Sequence, residues 1–230
     1  MTGALVTGAA SGLGRFLHRA LGGDGLTRVN AGSLLAGPGA RVIVHCAPDL
    51  GLAERLLSLS HERFVLASSV DVYPEGGGPW GEESAVSGRT PYAADKLAAE
   101  RLALGRGRAP LVLRLGTLLG ADARPNSLTR LLDGTALSVA PSSRFAWLRH
   151  RDVLEFLTAA LDRGLEGTYN VVPSRTATLA EAARALGRSP AWGTHLYAAP
   201  EADGAKARAV CAALTRSALE NAIAFAKERG

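Results

Sequence analysis

Tyr92 and Lys96 stand four residues apart in the stretch Tyr-Ala-Ala-Asp-Lys. On a helix that spacing puts both side chains on one face. A phenol has a pKa of about 10, so near neutral pH it trades protons only when something stabilises its phenolate. A neighbouring ammonium does so, and the tyrosine can then serve as general acid and base toward a hydroxyl or carbonyl. Ser69 follows a short apolar run, and its hydroxyl would orient the reacting oxygen by hydrogen bonding. Lysine is scarce: Lys96, Lys206 and Lys227 are the only three, against 23 arginines. A lysine four places after a tyrosine therefore carries more weight here than in a lysine-rich chain. Each residue also has a plainer role open to it: Tyr92 as an amphipathic side chain at a helix start, Lys96 as a solvated charge, Ser69 as the end of a strand.

A second chemical feature lies near the start. Thr7-Gly8-Ala9-Ala10-Ser11-Gly12-Leu13-Gly14 follows an apolar run and opens a helical stretch. Glycines there allow a tight turn and a close approach of backbone to a pyrophosphate, which then meets the free N–H groups and positive end of the helix. Gly8, Ser11, Gly12, Leu13 and Gly14 are the expected phosphate contacts. An acidic residue about 20 positions further on would hold ribose hydroxyls. Here the second strand, expected over 26–30, ends in Asn30 with Arg28 two places before it, and Asp24 falls between two glycines ahead of it. The missing carboxylate and nearby arginine favour a 2′-phosphate, hence NADP; NAD stays open, because an asparagine can also bond ribose hydroxyls.

These residues need a frame, and the sequence supplies an alternating one. Strands are expected at Ala4–Thr7, 26–30, 41–46, 63–68 and Leu111–Leu115, with helices at 15–21, 49–59 and 92–104 between them. The runs at 41–46 and 63–68 are continuously apolar, as in strands buried on both faces. The glycine-rich stretch 74–90 reads as a loop, and Pro91 stands where proline's missing N–H costs nothing. Such alternation predicts an α/β fold, a parallel sheet covered by helices on both faces. Further on, helices are expected at 126–132, 152–161, 178–186 and 214–228 and a strand at 167–172, with little helical signal over 189–205.

Composition narrows the class. The chain has 230 residues, 47% of them hydrophobic and 20% charged, which fits a globular protein and excludes a disordered one. The formal net charge is +5, but the arginines are spread along the chain without a run of five. Nucleic-acid footprints concentrate on one face, so no nucleic-acid partner is expected. No apolar run approaches the roughly 20 residues that span a bilayer, and no leader pattern opens the chain, so a cytoplasmic protein with no membrane partner is expected. Cys46 and Cys211 have no metal-ligand spacing and make no disulfide framework; no metal is expected.

Several segments, in order, resemble the short-chain dehydrogenase/reductase superfamily, and within it the extended branch, the NAD-dependent epimerase/dehydratase family. They are the loop 7–14, Val44-His45-Cys46-Ala47, Ala67-Ser68-Ser69-Val70-Asp71-Val72-Tyr73, Pro91-Tyr92-Ala93-Ala94-Asp95-Lys96-Leu97, and the stretches 113–120, 147–153 and 168–171. The resemblance spans nearly the whole chain, and Ser-Ser-x-x-x-Tyr followed by Tyr-x-x-x-Lys is its most specific part. It implies a Rossmann-type doubly wound parallel sheet, with residues 1–120 forming the NAD(P)-binding domain. Residues 121–230 would form a small C-terminal substrate lobe interwoven with it. It implies a nicotinamide beside Tyr92, its ribose held by Lys96, the catalytic hydroxyl at Ser69, and backbone passing the cofactor at Ala47. Thr117 and Arg144 would contact substrate, Arg144 matching an arginine that often grips a pyrophosphate. A homodimer packed through the Tyr-x-x-x-Lys helix is also implied.

The departures from the family pattern guide the choice of chemistry. The glycine loop has the TGxxxGxG spacing of the single-domain branch. Only 27 residues lie between Gly14 and Val42, so one strand and its helix are expected to be lost or reduced to a loop between 15 and 41. Thr117 stands where an asparagine commonly anchors a substrate nucleotide. Dehydratases carry an acid pair directly after the hydroxyl residue; here those positions are Val70 and Asp71, and Asp71 is expected simply at a loop edge. What remains is an NAD(P)-dependent oxidoreductase transferring hydride at a secondary alcohol or ketone carbon, with a sugar or nucleotide sugar as the substrate class. Two alternatives stand beside it: a nucleotide-sugar epimerase with tightly held NAD, and a non-catalytic NAD(P)-binding sensor or scaffold.

Overall fold

The structure is a computed structural model and describes residues 3–27, 29–30, 32 and 40–229. In chain order the first half gives β1 (Ala4–Thr7), α1 (Gly12–Leu21), β2 (Asp24–Leu26), β3 (Ala40–His45), α2 (Leu50–Leu57), β4 (His61–Ser69), a 3₁₀ turn (Val70–Val72), α3 (Pro91–Arg106), β5 (Leu111–Leu115) and β6 (Thr117–Leu119). The second half gives α4 (Ser127–Leu132), β7 (Arg144–Phe145), β8 (Trp147–Arg149), α5 (His150–Asp162), β9 (Gly167–Val171), β10 (Ala177–Thr178), α6 (Leu179–Ala185), α7 (Ala205–Arg208) and α8 (Ala218–Arg229).

Six strands make one parallel sheet in the order β2-β1-β3-β4-β5-β9. Its strands alternate between two cores, as the two-residue period of a strand requires. Val6, Val44, Val65 and Leu113 face a cluster with Leu17 and Phe156, under α1 and α5. Leu5, Ile43, Phe64 and Leu66 face the other, with Leu56 and Ala103 under α2 and α3. The fold is thus the doubly wound Rossmann-type sheet that the alternation predicts. The sixth strand comes from the second half, so the two halves of the chain share one sheet. A third cluster, built on Leu128, Phe145, Trp147, Leu179 and Phe225, belongs to the second half, with Leu119 of β6 joining it from the first.

Caps set the helix starts. Thr90 accepts from Ala93 N at 3.1 Å with Pro91 in the first turn of α3, and Asp49 accepts from Leu52 N at 2.9 Å at the start of α2. Thr178 and Glu181 form a reciprocal capping box on α6.

The second strand departs from expectation. It covers Asp24–Leu26, pairing Leu5 with Asp24 and Thr7 with Leu26, instead of 26–30. Gly22 and Gly23, both at positive φ, turn the chain at once out of α1, so pairing begins earlier and Asn30 lies in a turn beyond the strand. Among the described residues no further strand intervenes between β2 and β3, and β2 is the sheet edge. Among them, too, no helix is long and apolar enough to cross a membrane.

Candidate active site

The chain order reverses at β1, whose neighbours β2 and β3 lie on opposite sides. In open α/β sheets ligands bind at such a switch point, outside the carboxyl ends of the strands. Thr7 ends β1 there, fully buried. Its Oγ1 accepts from Cys46 N (3.0 Å) and Ala47 N (3.2 Å) and lies 2.9 Å from His45 Nδ1. A hydroxyl has one proton, so with two N–H groups already given to it Thr7 donates to His45 Nδ1, and the imidazole carries its proton on Nε2. Burial first, then the Lys96 charge, lowers the His45 pKa to about 4, so the ring is neutral. Cys46, next to it, is pushed up to about 12 by burial and is no nucleophile.

The glycine loop is shaped for close approach. A Cβ on Gly14 would stand 2.5 Å from the Thr7 carbonyl oxygen and 2.6 Å from that of Gly8, so only glycine lets α1 start against the end of β1. Gly8 and Gly12 adopt φ of 71° and 59°. Ser11 caps α1 in extended conformation, yet its side chain makes no capping hydrogen bond, and Gly12 N donates to the Asp122 carbonyl at 2.7 Å. First-turn N–H groups, which a helix cannot satisfy internally, and a spare serine hydroxyl suit an anion. These residues fit a dinucleotide pyrophosphate, and Ala47 lies against the same turn, its N 3.4 Å from where a Gly8 Cβ would be.

Ser69, Tyr92 and Lys96 meet at the carboxyl end of β4. Ser69 is its last residue. Tyr92 and Lys96 face it from the first turns of α3, with Lys96 Nζ 5.7 Å from the Tyr92 ring centroid. Lys96 is buried and donates to the Ala67 carbonyl at 2.7 Å. The Tyr92 ring is half exposed, while its hydroxyl lies against Ser69.

One expectation fails here. Lys96 was to lower the Tyr92 pKa, but in this arrangement the phenol is raised above its ordinary value. Burial of the hydroxyl end comes first; the Ser69 hydrogen bond opposes it, the Asp71 charge adds to it, and Arg124 opposes. The physical reason is that the Lys96 ammonium is spent on Ala67, whereas a carboxylate stands on the other side of Ser69.

That carboxylate is Asp71. It sits at the loop edge, on the 3₁₀ turn after β4, but its side chain is engaged. Ser69 Oγ donates to Oδ2 at 3.1 Å, and Asp71 N donates back to Ser69 Oγ at 3.2 Å. Tyr197, from the second half, donates to Oδ1 at 3.2 Å. The Tyr197 phenol is raised by burial, then by Asp71, with Thr117 acting the other way. Sequence reasoning missed Tyr197, which lies in a stretch without periodic pattern and reaches Asp71 across 126 positions.

A buried network fixes the base of α3. Arg114 on β5 makes paired bonds to Glu100, with Nη2 2.8 Å from Oε2 and Nε 3.1 Å from Oε1. Ser68 also donates to Glu100. Arg114 Nη1 donates to the Tyr73 hydroxyl at 2.7 Å, which lies 2.8 Å from Asn170 Oδ1 on β9. Asn170 Nδ2 then holds the Trp80 and Asp203 carbonyls. One network therefore ties α3, the three strands β4, β5 and β9, and the loop 74–90 behind Ser69.

The remaining sequence candidates are placed differently. Thr117 joins the cluster through Tyr197. Arg144 gives its backbone N to the Tyr197 carbonyl at 2.8 Å, but its guanidinium turns to Thr176 (3.0 Å) and toward Glu201. Asn30 folds onto the end of β2: Oδ1 accepts from Thr27 N at 2.7 Å, and Nδ2 donates to the Gly25 carbonyl at 2.8 Å. Arg28 lies outside the described residues.

A family model for the NAD dependent epimerase/dehydratase family matches residues 38–171. No curated protein matches the sequence. Among solved structures, the chain is similar to UDP-glucuronic acid 4-epimerase from Bacillus cereus in complex with UDP-glucuronic acid and NAD (17% identity, TM-score 0.76, all of both chains covered). It is similar to the NAD-dependent NDP-hexosamine 5,6-dehydratase TunA of tunicamycin biosynthesis (19%, TM-score 0.80, 99% of this chain and 98% of that one). It is also similar to RMD from Pseudomonas aeruginosa complexed with NADPH (19%, TM-score 0.73, 99% and 100%). At such identities the likeness is one of fold.

Proposed function

The chain belongs to the NAD dependent epimerase/dehydratase family, and on that premise we propose that it is an NAD(P)-dependent oxidoreductase acting at a secondary alcohol or ketone carbon. The observation that carries this reading is the meeting of Ser69, Tyr92 and Lys96 at the carboxyl end of β4, the same end of the parallel sheet at which the glycine loop follows β1. A nicotinamide dinucleotide, when bound, supplies or accepts the hydride. Gly8, Ser11, Gly12, Leu13 and Gly14 would hold its pyrophosphate, with Ala47 beside them and Lys96 toward the nicotinamide ribose. Asn30, in the turn beyond β2, and Arg28, by its place in the sequence, are our candidates for setting the choice between NAD and NADP at the adenosine ribose.

Tyr92 moves the proton. In reduction its O–H goes to the carbonyl oxygen as hydride reaches the carbon; in oxidation it takes the proton back. Ser69 holds the reacting oxygen. Thr117 and Arg144 stand on the substrate side, and a sugar or nucleotide sugar is the class we favour, in line with the ligands named for the solved relatives.

Titration with NADPH and NADH is the first test, by protein fluorescence. Binding of one or both is expected; binding of neither would sink the reading. Tyr92→Phe should abolish turnover while sparing cofactor affinity, and unchanged turnover would remove Tyr92 from the reaction. Mass spectrometry of cofactor carried through purification separates a tightly holding epimerase from a reductase that releases it.

A further inference from the structure

Asp71 has no role in the reaction as set out above, yet its carboxylate is the most heavily contacted acceptor beside the reacting hydroxyls. Four groups form a chain across the two halves of the protein: Tyr197, Asp71, Ser69 and Tyr92. Tyr197 fills Oδ1 of Asp71 at 3.2 Å, and Ser69 fills Oδ2 at 3.1 Å.

Counting protons fixes the direction of each bond. An ionised carboxylate can only accept, so the single proton of Ser69 points at Asp71. Ser69 Oγ is then an acceptor toward everything else, and it already accepts from Asp71 N at 3.2 Å. The Tyr92 hydroxyl, which lies against Ser69, therefore meets an oxygen whose proton is already turned to Asp71. The proton that would stabilise a Tyr92 phenolate is the Ser69 proton, and Asp71 competes for it.

We propose that Asp71 is a positioning residue for the acid–base tyrosine: by drawing the Ser69 proton to itself it leaves Tyr92 at rest as the loaded acid, with Tyr197 fixing the carboxylate from the C-terminal half. The proposal rests on the reading of Tyr92 as the proton-moving residue. After Tyr92 has given its proton away, rotation about the Ser69 Cβ–Oγ bond, from Asp71 Oδ2 to the phenolate, stabilises the new anion. No bond to carbon changes. The site is thereby biased toward delivering a proton to a carbonyl oxygen, and alcohol oxidation is pushed to higher pH.

The other groups facing Tyr92 do not reproduce this effect. Arg124, from the segment after β6, favours the phenolate. Lys96, on the same helix, is bound to Ala67. The Tyr197 hydroxyl is itself given to Asp71.

The test needs neither substrate nor cofactor. The full chain is prepared with fluorinated tyrosine, whose acidified phenol titrates where the protein stays folded. The Tyr92 signal is assigned by its loss in Tyr92→Phe and followed by fluorine NMR against pH. Asp71→Asn should lower the Tyr92 midpoint, and the drop should shrink in a Ser69→Ala background, because Asp71 acts through that hydroxyl. Asp71→Ser, smaller and uncharged, takes its place should the amide variant not fold. An unmoved midpoint overturns the proposal. So does an equal drop in both backgrounds, which would make Asp71 a charge acting across space. Full turnover in Tyr92→Phe would instead overturn the acid–base reading while leaving these titrations as they are.

Discussion

Lys96 gives its ammonium to the carbonyl of Ala67 at 2.7 Å, a buried bond between the Tyr92–Lys96 face of α3 and the strand β4. Burial lowers the pKa of this lysine, with Cys46 and Glu100 acting the other way. The bond holds the first turns of α3 against the sheet as much as it prepares a charge for a ligand.

Replacing Lys96 should therefore injure fold and function together. In Lys96→Met the Ala67 carbonyl loses its partner inside the protein, a loss of about 1–3 kcal/mol for a buried unsatisfied group. A urea titration should show that drop, and the same variant should lose cofactor affinity. Loss of affinity at unchanged stability would show that the carbonyl contact is dispensable.

Gly14→Ala tests the start of α1. Its Cβ would press on the Thr7 and Gly8 carbonyl oxygens at 2.5 and 2.6 Å, backbone atoms that cannot swing aside. Overpacking of this kind costs about 1–3 kcal/mol, and displacing the helix start removes the N–H groups that meet a phosphate. A lower thermal midpoint with lost NADH or NADPH binding is expected. Gly12→Ala, whose Cβ would meet only Asp122 O at 3.9 Å, should suffer from its positive φ but escape the clash.

The buried Arg114–Glu100 pair predicts an asymmetry. Both side chains are almost wholly enclosed, so Glu100→Gln leaves a guanidinium half paired, at a cost of about 3–5 kcal/mol. Removing both charges, as Glu100→Leu with Arg114→Met, should cost less than the single change. Chemical denaturation of Glu100→Leu, Arg114→Met and the double variant, beside Glu100→Gln, decides it; a double variant as unstable as the sum of its parts would refute the account.

Sequence legibility followed the range of the interactions. β1 and β5 are read to the residue, because each is a short, mainly apolar run buried on both faces. The start of α3 is read from Pro91 and that of α6 from Thr178, which caps within three residues. β2 is misplaced because an edge strand exposes Asp24 and offers only Leu26 as apolar signal. β6 and β8 go unseen since they pair only with each other, at three residues apiece. In the site, Ser69, Tyr92 and Lys96 are visible through local spacing. Tyr197 is not, for it is positioned by Phe145 packing and by the Ser143 hydroxyl, which accepts from its N at 3.1 Å. The engagement of Asp71 is invisible for the same reason, its partner being folded in from far along the chain.

Two buried histidines predict how the protein responds to acid. His45 is held at Nδ1 by the Thr7 hydroxyl, and His150 packs its ring 5.5 Å from Phe16 with neither nitrogen partnered among the described residues. Burial lowers both to about 4 from 6.5. Above pH 6.5 both are neutral whether the chain is folded or not, and they favour neither state. Between 6.5 and 4 the unfolded chain binds the protons and the folded one does not, so stability falls as pH falls. Each histidine contributes about 3 kcal/mol to that loss once pH has passed the folded value. Thermal midpoints measured from pH 7 to pH 4 should drop across this window. His45→Asn, which still offers an acceptor to Thr7 but cannot titrate, should flatten the slope by roughly half of the two-histidine effect. A slope unchanged in that variant would show that His45 is protonated in the folded protein, and its bond to Thr7 would then have to run the other way.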